Sequence, residues 1–214
     1  MDSKLDHIVI GAAELGAATS IIETQMGVEF GVGGVHPLMA THNRLLRMGD
    51  DSYLEIIAAD PAATPPRPRW FSLDVPSTKA RLAKGPCPLC WVVAVPDLDV
   101  AVNDCGYDAG TIIEMSRGDL NWRLTVADDG LLAGDGVLPV LIEWPGGRNP
   151  TNRMPESPVR LAGLALTHPE PEWIADVLVR LGVSEVVKLS EGAPGLAFKF
   201  ETPRGFLVLD SVAP

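Results

Sequence analysis

Three cysteines in 214 residues are too few, and of the wrong parity, for a disulfide framework. Basic residues are also scarce: 17 Lys and Arg stand against 28 Asp and Glu, a formal net charge of −11. A field of that sign repels phosphate backbones and anionic lipid head groups, which argues against nucleic acid or a membrane as partner. No apolar run approaches the about 18 residues needed to span a bilayer. The opening Met-Asp-Ser-Lys-Leu-Asp has neither the basic nor the apolar stretch of a secretory signal, so the expected location is cytoplasmic. Several chemical signatures are missing as well. There is no Gly-x-Ser-x-Gly, no phosphate-cradling glycine loop followed by Lys and Ser or Thr, and no second Cys-x-x-Cys beside Cys87-Pro88-Leu89-Cys90. That motif runs from a linker into a strand and does not open a helix that would activate a thiol.

What remains is a chain 46% hydrophobic with 19 Pro, much of it concentrated in two stretches that interrupt the apolar patterning. They divide the sequence into a first segment, 1–61, a Pro-rich linker, 62–87, a second segment, 88–146, a second linker, 147–158, and a third segment, 159–214. Trp70-Phe71-Ser72-Leu73 is too apolar for a plain spacer and is expected to pack back on the body. The first segment reads as a strand over Leu5–Ile10, a helix with Leu15, Ala18, Ile21 and Ile22 on its apolar face that ends at Gly27, and three strands near Val28–Val32, Asn43–Met48 and Tyr53–Ala58. The second repeats that order: Leu89–Ala94, a helix capped by Asp97, then Thr111–Met115, Asn121–Val126 and Val137–Trp144. Matching Leu15 to Leu98 sets an offset of 83 residues that lays His7 on Cys90. The third segment reads as a further, partial copy with a helix from Pro171 to Gly182. The fold class is α+β, with repeated βαβββ modules forming a curved mixed sheet around a cleft.

Strand alternation places Leu5, His7 and Val9 on one face of the first strand, and Tyr53, Glu55 and Ile57 on one face of the fourth. A carboxylate on a covered sheet face must be paired, protonated or bound to a cation. Glu143 repeats the pattern in the second segment. His7, Glu55 and Glu143 together would suit Mn, Fe(II), Ni, Zn or Mg. Alternatively His7 is a hydrogen-bonded interior histidine, and the two glutamates pair with arginines such as Arg44 and Arg123. His36, His42 and Asn43 flank a loop beside these strands, either histidine being able to line a site or act as a base. His168, ahead of Pro169, reads as a turn residue.

Leu5-Asp6-His7-Ile8-Val9-Ile10, the loop with Thr41-His42-Asn43, and Tyr53-Leu54-Glu55-Ile56-Ile57-Ala58 resemble the first module of glyoxalase-like proteins of the vicinal oxygen chelate superfamily. Trp91, Asp97-Leu98-Asp99 and Glu143 carry the resemblance through the second module. The resemblance implies paired modules around a cleft in which a divalent metal holds the substrate, with His7, Glu55 and Glu143 as ligands; the remaining ligand position, usually His, falls on Cys90. It implies a metal-dependent lyase or isomerase acting on a small oxygenated substrate, with Glu143 or His42 moving the proton. Substrate contacts are expected from His36, Asn43, Trp70, Trp91 and Arg123. The alternative is a metal-free small-molecule binding or sequestration protein of the same fold, with Trp70, Trp91 and Trp122 lining the cleft. A homodimer is open in either case.

Overall fold

The computed structural model describes residues 2–211. β1 (Lys4–Ala12), α1 (Leu15–Met26), β2 (Val35–His36), β3 (Thr41–Arg47) and β4 (Tyr53–Ala59) form the first unit. After α2 (Pro76–Leu82) come β5 (Cys87–Ala94), α3 (Leu98–Asp104), β6 (Thr111–Arg117), β7 (Leu120–Val126) and β8 (Val140–Glu143). These eight strands make one curved mixed sheet in the order β2-β3-β4-β1-β5-β8-β7-β6. The fold class read from the sequence is therefore the one observed. One expected strand moves: residues 28–32 make only an isolated bridge, Gly31 to Leu45, and the short second strand lies at Val35–His36. The Glu23 carboxylate takes the Phe30 N–H at 2.7 Å, so that donor is satisfied without a strand partner.

The two units meet where β1 and β5 pair antiparallel, with His7 opposite Val92 and Val9 opposite Cys90. An offset of 83 maps this pairing onto itself, so the internal repeat is also a local two-fold relation. A bulge between Leu5 and His7 interrupts the alternation there. As a result Leu5 packs with the outer core and not on the face shared by His7 and Val9.

The sheet has a core on each face. Outside it, α1 and α3 pack against Ile8, Ile10, Leu54, Ile56, Trp91 and Val93. Inside it, Val9, Ile57, Cys90, Val92, Leu124 and Ile142 line the concave surface and are covered by Trp70, Phe71 and Leu73.

The third segment consists of β9 (Arg160–His168), α4 (Pro171–Leu181), β10 (Val187–Glu191), β11 (Gly195–Thr202) and β12 (Gly205–Asp210). Its element order along the chain is that of the other two units, but its sheet runs β10-β9-β11-β12. In the first two units the opening strand lies beside the last one, whereas here β9 sits between the second and third. Leu164, Leu166, Leu196, Phe198 and Phe200 belong to the same buried cluster as α1, α3 and the outer face of the large sheet. Among the described residues no helix is long and apolar enough to cross a membrane.

Candidate functional site

The inner face of the large sheet encloses a cavity of about 40 Å³ lined by His7, His36, Asn43, Tyr53, Glu55, Trp70, Arg117, Trp122 and Trp144, among others. Five of the residues expected at a site, namely His7, His36, Asn43, Glu55 and Trp70, are thus brought together.

Its polar floor is a chain of buried groups. The β1 bulge turns Asp6 toward His7, and the Asp6 carboxylate accepts from His7 Nδ1 at 2.6 Å and from Trp144 Nε1 at 2.8 Å. His7 Nε2 lies 3.5 Å from Glu55 Oε2, and its ring stacks on Tyr53 with centroids 4.4 Å apart. Asn43 Nδ2 donates to Glu55 Oε1 at 2.6 Å. The direction of that amide is set by its other end, where Asn43 Oδ1 accepts the Gly34 N–H at 2.7 Å. Burial opposes charge on His7, but the Asp6 and Glu55 carboxylates outweigh it and raise its pKa to about 9. Burial likewise opposes charge on Glu55, yet His7, His36 and Asn43 together hold its carboxyl below the usual range. At neutral pH His7 is therefore an imidazolium facing an ionised Glu55. His36 takes the other state: burial lowers its pKa to about 4, so it stays neutral, with Nδ1 3.1 Å from Thr41 Oγ1 and its ring edge-on to Trp70.

Two donors at this cavity have no partner. Arg117 Nη1 and Trp70 Nε1 are buried without a hydrogen bond among the described residues. Arg117 ends β6, one edge of the sheet, and its guanidinium packs against Gly34 beside the opposite edge, where an added Cβ would lie 2.5 Å from Nη1.

Four expected site residues lie elsewhere. Glu143 is on the outer face: Val140 and Ile142 point inward, Leu141 outward, and the Glu143 carboxylate takes Arg123 Nη1 at 2.9 Å and the Leu98 N–H at 3.2 Å. The register gives the reason. Val9 pairs with Glu55 in β4, and its counterpart Val92 pairs with Val140 in β8, so Val140 occupies the position related to Glu55. Arg123 shares that outer face, bonded also to Asp99 at 2.8 Å, because Trp122 and Leu124 point inward. The Arg pairing considered for Glu143 is thus formed, while Glu55 is held by His7 and Asn43. His42 pairs with Ala58, a residue of the outer cluster, and so faces away from Asn43. Trp91 is fully buried in the outer core, its Nε1 donating to Val137 O at 2.8 Å.

Sequence reading missed Asp6, whose role depends on the bulge, and Arg117, which alternation puts on the face of Met115 but which lay two residues beyond the expected strand end. His168 is not a turn residue. It closes β9, buried, its Nδ1 accepting the Glu170 N–H at 3.0 Å.

The donor set does not fit the divalent metal that the family pattern implies. Glu143, the expected third ligand, is on the outer face, held by Arg123 and the Leu98 N–H. Cys90, at the remaining ligand position, is wholly buried, where desolvation and the Glu55 charge push its thiol pKa well up. Among the described residues no three His, Cys, Asp or Glu side chains converge as a metal requires.

The family model for the glyoxalase-like domain matches residues 5–182. Among solved structures, a hypothetical protein from Staphylococcus aureus is similar over 98% of this chain and 85% of its own, at 12% identity and a TM-score of 0.58. That likeness carries the shared fold through the C-terminal sheet. A methylmalonyl-CoA epimerase from Streptomyces coelicolor, solved with 2-nitronate-propionyl-CoA, is 19% identical, covers 69% of this chain and 98% of the epimerase, and has a TM-score of 0.45. The methylmalonyl-CoA epimerase from Mycobacterium tuberculosis is 16% identical, with 65% and 85% covered and a TM-score of 0.42. No curated protein matches this chain.

Proposed function

This chain belongs to the glyoxalase-like domain family of the vicinal oxygen chelate superfamily, and on that premise we propose that it binds a small oxygenated organic molecule in the inner cavity without a metal ion. The observation that carries this reading is the pairing of an ionised, buried Glu55 with the unpartnered Trp70 Nε1 in one aromatic-walled cavity. Glu55 can accept a hydrogen bond from a ligand hydroxyl, since each oxygen has capacity beyond the bond it makes to Asn43 or the contact with His7. Trp70 can donate to a ligand oxygen, and Trp122 and Trp144, with centroids 5.6 Å apart, offer faces to its carbon skeleton. His7 holds Glu55 in place and in charge. A metal-dependent lyase or isomerase needs ligands from the second unit, and there the related positions are a thiol and Val140.

Elemental analysis of protein purified without chelator or affinity metal tests the metal-free reading, alongside a panel of small hydroxy and carbonyl compounds followed by tryptophan fluorescence with and without EDTA. The expected result is metal well below one equivalent and quenching that EDTA leaves unchanged. Near-stoichiometric Mn, Fe, Ni or Zn that disappears in Glu55→Gln, or ligand binding abolished by the chelator, would overturn it.

A further inference from the structure

Arg117 is the cationic group of the cavity with no counter-charge of its own. Asp6 is taken up by His7 and Trp144, and Glu55 by His7 and Asn43, whereas the Arg117 side chain makes no hydrogen bond or ion pair among the described residues and its Nη1 is buried. A guanidinium nitrogen withdrawn from water and left bare is costly, and the group that relieves it best is a carboxylate received by the planar fork. The placement favours a ligand over a structural partner. Arg117 reaches from one edge strand of the sheet to Gly34 beside the other, across the inner cavity, and the absence of a Cβ at Gly34 makes room for it. Glu55, on the same cavity, supplies the opposite need, an acceptor for a hydroxyl. The cavity is small, about 40 Å³, and partly open, so it receives the polar end of a short ligand and not a bulky one.

We propose that Arg117 is the carboxylate-recognition residue of this cleft and that its ligand class is the short-chain hydroxycarboxylates, with the carboxylate on Arg117 and the hydroxyl on Glu55. This rests on the reading that the cavity binds a small molecule. Recognition is by charge and hydrogen bonding, so affinity weakens as salt is raised.

Lactate, its neutral counterpart lactamide, and propionate, which lacks the hydroxyl, are titrated into the protein by calorimetry and tryptophan fluorescence. The expected order is lactate at least tenfold tighter than lactamide, and tighter than propionate. In Arg117→Gln the lactate preference over lactamide collapses to less than twofold. In Arg117→Lys, which keeps the charge and loses the fork, it is intermediate. Thermal melts of both variants confirm that each is folded, and the lysine variant carries the test if the glutamine variant is not. Equal binding of lactate and lactamide by the unaltered protein, or an unchanged preference in both variants, overturns the proposal. If neutral compounds of the fluorescence panel bind while none of these carboxylates does, this inference falls and the small-molecule reading stands. If nothing binds, both fall.

Discussion

At the scale of the residue, His7 and His36 share one cavity and carry opposite charge states, and each leaves a distinct mark on stability. His7 binds its proton more tightly in the native protein, at about 9 against an ordinary 6.5. Its contribution is complete below pH 6.5 and is lost as the pH rises through 9. A change of that size corresponds to on the order of 3 kcal/mol. His36 is buried neutral with a pKa of about 4, so its contribution is present above pH 6.5 and lost as the pH falls toward 4. Urea unfolding midpoints between pH 4 and 9.5 should therefore peak near pH 6.5. His36→Gln should flatten the acid side, and a profile flat from pH 6.5 to 9 would contradict the bridging position of His7 between Asp6 and Glu55. Alternation in the sequence was enough to place His7 and Glu55 on a common face, while Asn43, read as flanking a loop, takes its facing from β3. It could not supply Asp6, because a bulge is a property of strand pairing and leaves no periodic trace in the strand itself.

At the scale of the element, the stretch between β4 and α2 acts as a strap across the mouth of the cavity. Arg69 ties it to the first unit through Ala40 O at 3.1 Å and braces it internally on Asp74 at 2.9 Å. Arg67 reaches Ala127 O at 2.9 Å and the Ser72 N–H donates to Gly130 O at 2.8 Å, which ties it to the second. Phe71 and Ser72 hold left-handed backbone, φ 58° and 55°, which non-glycine residues adopt at a cost. That turn stacks the rings of Trp70 and Phe71 at 4.9 Å over the inner core. Gly130 is the anchor. Its φ is +76°, and a Cβ there would lie 2.1 Å from Arg69 O, a backbone atom with no freedom to swing aside. Gly130→Ala should cost about 2 kcal/mol or more and open residues 61–75 to proteolysis. A variant with unaltered melting and digestion would show that the strap is not fastened there. The apolar Trp70-Phe71-Ser72-Leu73 run announces in the sequence that this stretch packs, and its partners come from residues some 60 positions on, beyond the reach of a local pattern.

At the scale of the whole molecule, the outer face of the large sheet and the C-terminal sheet share one buried cluster. Phe198 and Phe200, both fully buried, extend the apolar layer that α1, α3 and Trp91 begin. The chain should therefore unfold as a single cooperative unit. Phe198→Ala should lower stability by about 3–5 kcal/mol and shift the whole transition. A second, earlier transition in calorimetry, confined to the C-terminal residues, would contradict a shared core.

Two properties follow from the sequence alone: the strand-helix-strand order within each segment, written in the change from two-residue to helical spacing and in the glycines that end α1 and α4, and the facing of His7 and Glu55 within their strands. Both are local, since they depend on which neighbours along the chain are apolar. Pairing is not local. The register of β8 against β5 sends Glu143 and Arg123 to the outer face, the bulge in β1 adds Asp6 to the floor, and the closing of two edges brings Arg117 over the cavity. The strand order of the C-terminal sheet, different from that of the first two units despite the same order of elements, was decided in the same way, by which strand found which partner in three dimensions.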